Sequence, residues 1–207
     1  MNIDFDYLAT MPAVHPRASS IRWGCSFDGR QMALVGYVTE PNGDYSRGKR
    51  PMELIAEENA VVFYSTLLPG CTITRAVKVL DSIAGAIGIK GLTLYVEGAL
   101  GRNEVFIRHI NRETAHTVKL FKENQGRWYD QVEVIAGIAD DQETGRIIVS
   151  PEFIERPEKV LLDEATGVIE EEKRMNPLQS AFVYGLGYWS CKERRKKYQM
   201  GQGPAFW

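Results

Sequence analysis

Residues 43–51, GDYSRGKRP, contain a near match to a phosphate-binding loop. Gly43, Gly48 and Lys49 fit the G-x-x-x-x-G-K spacing, in which backbone N–H groups cradle phosphates and the lysine neutralises their charge. The next residue should be Ser or Thr, which binds Mg²⁺ through its hydroxyl, but here it is Arg50. Asp44 also places a carboxylate beside the first glycine, where it would repel a phosphate. These departures argue against a nucleotide site.

The same turn suits a longer phosphate polymer. Arg47, Lys49 and Arg50 are cations that neutralise backbone phosphates. Tyr45 supplies a ring on which a base can stack. The sequence therefore predicts a basic turn that contacts nucleic acid.

A second basic segment lies near the C-terminus. Residues 190–200 hold five Lys or Arg and one Glu, a net charge of +4 in a chain whose formal net charge is −2. Aromatic residues and glycines are interspersed with these cations, which is typical of a flexible tail that folds onto single-stranded nucleic acid. The contacts predicted in this tail are Tyr188, Trp189, Lys192, Arg194, Arg195, Lys196, Lys197 and Tyr198.

The chain ends in two large apolar side chains, Phe206 and Trp207. Exposed aromatic groups at a carboxyl terminus fit a pocket on a partner protein. Residues 204–207, PAFW, are similar to the ends of bacterial and phage single-stranded-DNA-binding proteins, which have a flexible tail tipped by an aromatic residue. Theirs is acidic, whereas this one is basic.

An acidic stretch precedes the basic one. Residues 152–172 hold eight acidic and two basic side chains, a net charge of −6. Opposite charge on two segments of one chain suggests that the tail docks on the acidic stretch of its own or a neighbouring subunit. We therefore expect a homo-oligomer.

Other groups of reactive side chains are less organised. His109, Glu113 and His116 lie within eight residues, but their spacing does not match a helical zinc pair. The three cysteines are far apart, which predicts free thiols and a reducing, cytoplasmic setting. No membrane partner, metal or cofactor is expected.

Three functions remain open. The leading hypothesis is a non-enzymatic protein that binds single-stranded nucleic acid, with DNA favoured, cooperatively and without sequence choice, and that recruits a replication or transcription partner through its tail. The second is an assembly or adaptor protein that docks a partner through its C-terminal aromatic residues. The third is an enzyme whose site is assembled from scattered residues.

The predicted fold is α+β, with an antiparallel and barrel-like sheet, one main packed helix at about 73–87 and a flexible basic and aromatic C-terminal tail. Asp28-Gly29 between two β-prone runs predicts a hairpin. Short strands are also expected at 92–98, 104–110, 116–122, 127–138 and 146–154, and connections this short favour antiparallel pairing. The predicted organisation is an N-terminal arm (1–19), one α+β domain (20–176) and a C-terminal helix and tail (177–207), with that helix opening at Pro177.

Overall fold

The computed structural model describes residues 3–14, 20–41, 58–97, 104–121, 131–166 and 175–201. Within these ranges the helices are α1 (Phe5–Val14), α2 (Ile73–Ile87), α3 (Glu104–Glu113), α4 (Gln131–Glu143), α5 (Pro151–Ile154), α6 (Lys159–Thr166) and α7 (Pro177–Gly201). The strands are β1 (Ser20–Phe27), β2 (Gln31–Pro41), β3 (Glu58–Pro69), β4 (Thr93–Glu97), β5 (Thr117–Phe121) and β6 (Ile147–Val149).

The six strands form one mixed sheet in the order β5-β4-β1-β2-β3-β6. Only β2 runs against its neighbours, because the β1–β2 and β2–β3 pairs are antiparallel and the other three are parallel. The prediction of a purely antiparallel, barrel-like sheet is therefore wrong, although a fold of helices and strands is confirmed. Helices connect the parallel strands, as parallel pairing requires.

The local signals at α2 are confirmed. Thr72 caps the helix by accepting a hydrogen bond from the Arg75 N–H, and Gly88 ends it in the left-handed conformation at φ 79°. The hairpin at Asp28 is also confirmed, because the Asp28 carboxylate accepts the backbone N–H groups of Arg30 and Gln31.

Two segments predicted as strands contain helices. Residues 104–110 lie in α3, whose buried Phe106 and Ile110 are four residues apart and so share one helical face. Within 127–138, residues from Gln131 onward belong to α4, where buried Val134 and Ile138 have the same spacing. Only part of 146–154 is a strand, because β6 ends at Val149 and α5 follows.

Helices cover both faces of the sheet. On one face Trp23 of β1 packs against Phe63 and Tyr64, and the Tyr64 ring lies near Tyr7 of α1. On the other face α7 lies across β1, β2, β3, β4 and β5, with α4 and α6 packed beside it. The residues predicted as an N-terminal arm include α1, whose Leu8 and Met11 are fully buried because the helix packs on α2.

The C-terminal tail is the largest difference from the prediction. It was expected to be flexible, but α7 continues as one helix from Pro177 to Gly201. Its first half is buried on nearly all sides, so tertiary packing overrides the cost of Gly185 and Gly187 in a helix. Residues 202–207, with Phe206 and Trp207, lie outside the described residues.

Candidate nucleic-acid interface

Helix α7 packs on the sheet at two glycines, Gly24 and Gly185. A Cβ atom added to Gly24 of β1 would lie 1.9 Å from the carbonyl oxygen of Ala181, and one added to Gly185 would lie 2.6 Å from the Gly24 Cα. Backbone therefore packs directly on backbone at this crossing. The Tyr37 hydroxyl adds a buried hydrogen bond of 2.9 Å to the Gly185 carbonyl oxygen. These contacts fix the path of α7 over the sheet.

A buried polar cluster holds α7 at Trp189 and Ser190. The Ser190 hydroxyl donates to Asp141 Oδ2, and Arg146 Nη1 lies 2.9 Å from Asp141 Oδ1. The Arg146 guanidinium also lies over the Trp189 ring, 5.2 Å from its centroid. Asp141 and Ser190 are both almost fully buried. The cluster joins α4, the start of β6 and α7.

The position of Trp189 corrects one predicted contact. Its side chain is fully buried, so it cannot stack on a base while α7 keeps this position. Of the other tail contacts, Lys192, Arg194, Arg195, Lys196, Lys197 and Tyr198 lie in the helical backbone of α7 beyond Ser190. Their side chains and that of Tyr188 are outside the described residues.

The basic turn is attached near this cluster. Residues 42–57, which carry Tyr45, Arg47, Lys49 and Arg50, lie outside the described residues, but both of their attachment points are described. Pro41 ends β2 and Glu58 begins β3, and these two residues are paired in the sheet. Segment 42–57 therefore begins and ends at one place on the sheet.

The link between the two basic segments runs through β6. The Ala60 N–H donates to the Arg146 carbonyl oxygen at 2.9 Å, and Arg146 is bound to Asp141, which accepts from Ser190. Ala60 is two residues from Glu58, about 7 Å along the strand. We call this region, formed by Pro41, Glu58, Ala60, Arg146 and Ser190, the exit corner, because segment 42–57 is attached to it and Ser190 is the last residue of α7 whose side chain is described.

Acidic side chains lie close to the exit corner. Asp140 and Glu143 are exposed on either side of Asp141, near the end of α4. At such a surface, neighbouring carboxylates reduce the local positive potential contributed by a basic segment. The described side chains near the exit corner therefore include an acidic rim, formed by Asp140 and Glu143.

The histidine group has a structural arrangement. His109 lies on α3 and its Nδ1 is 3.6 Å from Glu113 Oε2, so this pair spans one helical turn. His116 is buried, with Nδ1 accepting the Leu92 N–H at 3.0 Å and Nε2 placed 3.1 Å from Asp81 Oδ1. Because Nδ1 accepts this hydrogen bond, the ring proton is on Nε2, which faces Asp81. His116 thus ties α2 to the loops before β4 and β5.

No group of three or more metal-binding side chains is found among the described residues. Cys25 and Cys71 are buried free thiols, and burial raises the pKa of both. Raised thiol pKa values disfavour the thiolate, so these two cysteines are poor nucleophiles. No helix in the described part of the chain is long and apolar enough to cross a membrane.

A second polar cluster fastens α1 to the edge of the sheet. Arg156 binds Asp4, lies 3.4 Å from Glu158 and stands over the Tyr7 ring at 4.1 Å from its centroid. The Tyr7 hydroxyl donates to the Phe63 carbonyl oxygen at 2.9 Å. Burial raises the pKa of Tyr7 to about 12. Every charge in the cluster has an opposite charge beside it, so the cluster supports the fold.

Sequence reasoning missed Asp141, Arg146 and Ser190. The run 140–145, DDQETG, has a composition typical of a turn, in which Asp favours local hydrogen bonds. The contacts of Asp141 instead join residues 49 positions apart in the chain. One available signal was the placement of Asp141 three residues after Ile138 and seven after Val134, which continues the buried face of a helix.

No protein-family model, curated protein or solved structure matches this chain.

Proposed function

We propose that this protein binds single-stranded nucleic acid, with DNA favoured, through its sugar–phosphate backbone at the exit corner. One observation carries the proposal: the sheet brings the attachment points of both basic segments to the same corner. Arg47, Lys49 and Arg50 belong to a segment rooted at Pro41 and Glu58, and the basic part of α7 begins just after Ser190. The attachment points of two segments that are far apart in sequence are therefore linked through described residues.

Phosphate neutralisation supplies the binding energy. Each Lys or Arg that contacts a phosphate releases counterions, so affinity falls steeply as salt rises. Such contacts read no bases, which accounts for binding without sequence choice. A helix of 11 residues beyond Ser190 spans about 16 Å. That length allows its cations to reach past the acidic rim formed by Asp140 and Glu143.

The preference for a single strand rests on the remaining aromatic residues. Tyr45, Tyr188 and Tyr198 accompany the two basic segments in sequence, and a ring can stack on the exposed face of an unpaired base. A duplex hides those faces, so rings add little to duplex binding. The protein should therefore bind a single strand more tightly than the matching duplex.

Self-association is part of the proposal. Helix α6 carries the exposed acidic residues Asp163 and Glu164 and packs beside α7 on the same face. The basic segment of one copy and the acidic stretch of another have opposite charge, which favours a head-to-tail contact. Copies joined in this way would coat a strand cooperatively.

The test is fluorescence anisotropy of a labelled thymidine oligonucleotide and its duplex counterpart at about 50 and about 200 mM salt. Two variants remove charge from the proposed site: Lys49→Gln/Arg50→Gln in the turn and Lys196→Gln/Lys197→Gln in the helix. Each should weaken binding to the single strand and reduce the slope of log affinity against log salt by about 1.4.

The matched control is Arg30→Gln/Lys78→Gln. It removes the same charge from two exposed positions, one in the β1–β2 hairpin and one on α2. Arg30 is separated from Pro41 by the length of β2, about 36 Å. Its salt slope should equal that of the wild type. If the control loses as much as the two site variants, binding is diffuse and the exit corner is not the site. Absence of binding by the folded wild type rejects the proposed function and leaves partner docking through Phe206 and Trp207 to be tested.

A further inference from the structure

Four polar side chains lie together on the half of the sheet formed by β1, β4 and β5. These three strands are neighbours and run parallel to one another. The four residues are Arg22 on β1, Thr93 on β4, and Thr117 and Lys119 on β5, and each of them is at least partly exposed. We call them the strand cluster. They share no residue with the exit corner.

The register of the strands places the whole cluster on the side of the sheet that α7 covers. Gly24 of β1 packs against α7 and is paired with Tyr95 of β4, and Lys119 of β5 lies over the Tyr95 ring, 5.9 Å from its centroid. Paired residues, and residues two apart in one strand, project from the same side of a sheet. The other three members of the cluster each come two residues before one of these three, so they project from that side too.

The members of the cluster are close enough to contact one small ligand. Thr93 is paired with Thr117, and the pairing of Trp23 with Leu94 sets Arg22 opposite Thr93. Neighbouring strands are about 4.8 Å apart, which puts the Cα atoms of the two cations about 12 Å apart with the threonines between them. Arginine and lysine have long side chains. Both cations can therefore reach a group that lies over the threonine hydroxyls.

Arg22 has a charge that the protein leaves uncompensated. Its Nη1 atom is buried without a hydrogen-bond partner, and no carboxylate pairs with Arg22 in the ranges that the structure describes. Its neighbour on β2 is Tyr37, whose hydroxyl donates to the Gly185 carbonyl oxygen. Removing a cationic nitrogen from water without an anion beside it costs free energy. An anion bound at the cluster supplies the missing partner.

We infer that the strand cluster is a binding site for a phosphate group. The Arg22 guanidinium can donate two parallel hydrogen bonds to phosphate oxygens, and the Lys119 ammonium adds a second positive charge. The hydroxyls of Thr93 and Thr117 are further donors. The phosphate belongs either to a nucleic-acid backbone or to a free phosphate compound, because these groups recognise phosphate alone. The site is independent of the proposed function.

The experiment is thermal unfolding of the full chain in sodium phosphate, with sodium chloride at the same ionic strength as the reference. Phosphate at about ten times its Kd should raise the Tm of the wild type by about 3–6 °C. Lys119→Gln changes an exposed position and should bind phosphate about tenfold more weakly. The matched control is Arg30→Gln, which removes one charge from the exposed β1–β2 hairpin and should keep the full response to phosphate.

Arg22→Met separates a binding role from a structural one. It keeps a long side chain but removes the charge, so it should raise Tm in chloride and abolish the response to phosphate. A lower Tm in chloride would show that Arg22 supports the fold, and it would overturn the inference. The absence of a phosphate response in the wild type, or an undiminished response in both Arg22→Met and Lys119→Gln, would also overturn it.

The labelled thymidine oligonucleotide distinguishes the two sources of phosphate. If Arg22→Met and Lys119→Gln each bind it more weakly than the wild type, the cluster contacts the strand. If they lose the response to phosphate but bind the oligonucleotide normally, the cluster takes a free phosphate compound. If the wild type responds to phosphate but binds no oligonucleotide, the proposed function is rejected and the phosphate site is retained.

Discussion

The contact between Gly24 and α7 gives the sharpest test of the architecture. In Gly24→Ala the new methyl group would lie 1.9 Å from the Ala181 carbonyl oxygen and 3.0 Å from the Gly185 Cα. Ordinary contact needs about 3.4 Å or more, so α7 must move by about 1.5 Å or the strand must bend. Both neighbours are backbone atoms of a buried helix, and neither can rotate away. We expect a loss of about 3 kcal/mol in the free energy of unfolding.

A loss of this size lowers Tm by about 6–12 °C in a protein of 207 residues. Thermal unfolding followed by circular dichroism measures it. The matched control is Gly85→Ala in α2, where an added Cβ meets nothing within 4 Å. That change should raise stability by about 0.5–1 kcal/mol, since alanine favours a helix more than glycine does. A Gly24→Ala protein as stable as the wild type would show that α7 does not cross β1 at this glycine.

Three further outcomes follow from other contacts. Self-association, measured by analytical ultracentrifugation, should decrease in two charge-reversal variants, Lys196→Glu/Lys197→Glu and Asp163→Lys/Glu164→Lys. A mixture of the two variants should restore self-association, because each then offers the charge that the other lacks. If the mixture does not associate, the contact is not charge-paired. Burial raises the pKa of both Tyr7 and Tyr64 from 10.0 to about 12. The neutral side chains therefore stabilise the fold below pH 10, and this stability is lost as the pH rises towards 12. A tyrosinate absorbance titration in which all tyrosines ionise near pH 10 while the protein is folded would refute this. His116→Phe leaves the buried Leu92 N–H without its acceptor and should cost about 1–3 kcal/mol in urea unfolding, whereas half-exposed His109→Phe should change stability by less than about 0.5 kcal/mol.

The elements that the sequence predicts well are those with local causes. Helix α2 combines a 3.6-residue apolar period with a capping Thr72 and a terminating Gly88, and all three signals lie within 17 residues. The β1–β2 hairpin is similar, because Asp28 and Gly29 form the turn without help from distant residues. Where one segment contains the whole physical cause, the pattern is sufficient.

The sheet topology has a nonlocal cause, and a single error in one element changes it. Residues 104–110 are rich in β-branched and aromatic side chains, which also suit a helix packed through Phe106 and Ile110. A strand there makes β4 and β5 part of an antiparallel meander. A helix there makes the same two strands parallel, as they are.

The sequence predicts only part of the candidate site. Charge composition identifies the basic segments, because a run such as 192–197 needs no structure to be recognised. The link between their attachment points depends on the pairing of β3 with β6 and on the hydrogen bond from Ser190 to Asp141. Burial of Trp189 was equally hidden, since an aromatic residue beside cations has the same sequence pattern whether it faces solvent or the core.

The position of α7 in the chain has a consequence for how this protein is made. The helix that covers β1, β2 and β4 follows all three strands in the chain, so those strands leave the ribosome before this helix does. During synthesis the face containing Gly24 and Tyr37 remains open until residues 177–190 emerge. The nascent sheet therefore passes through a period of exposed apolar surface, when it is most prone to aggregate and most dependent on chaperones.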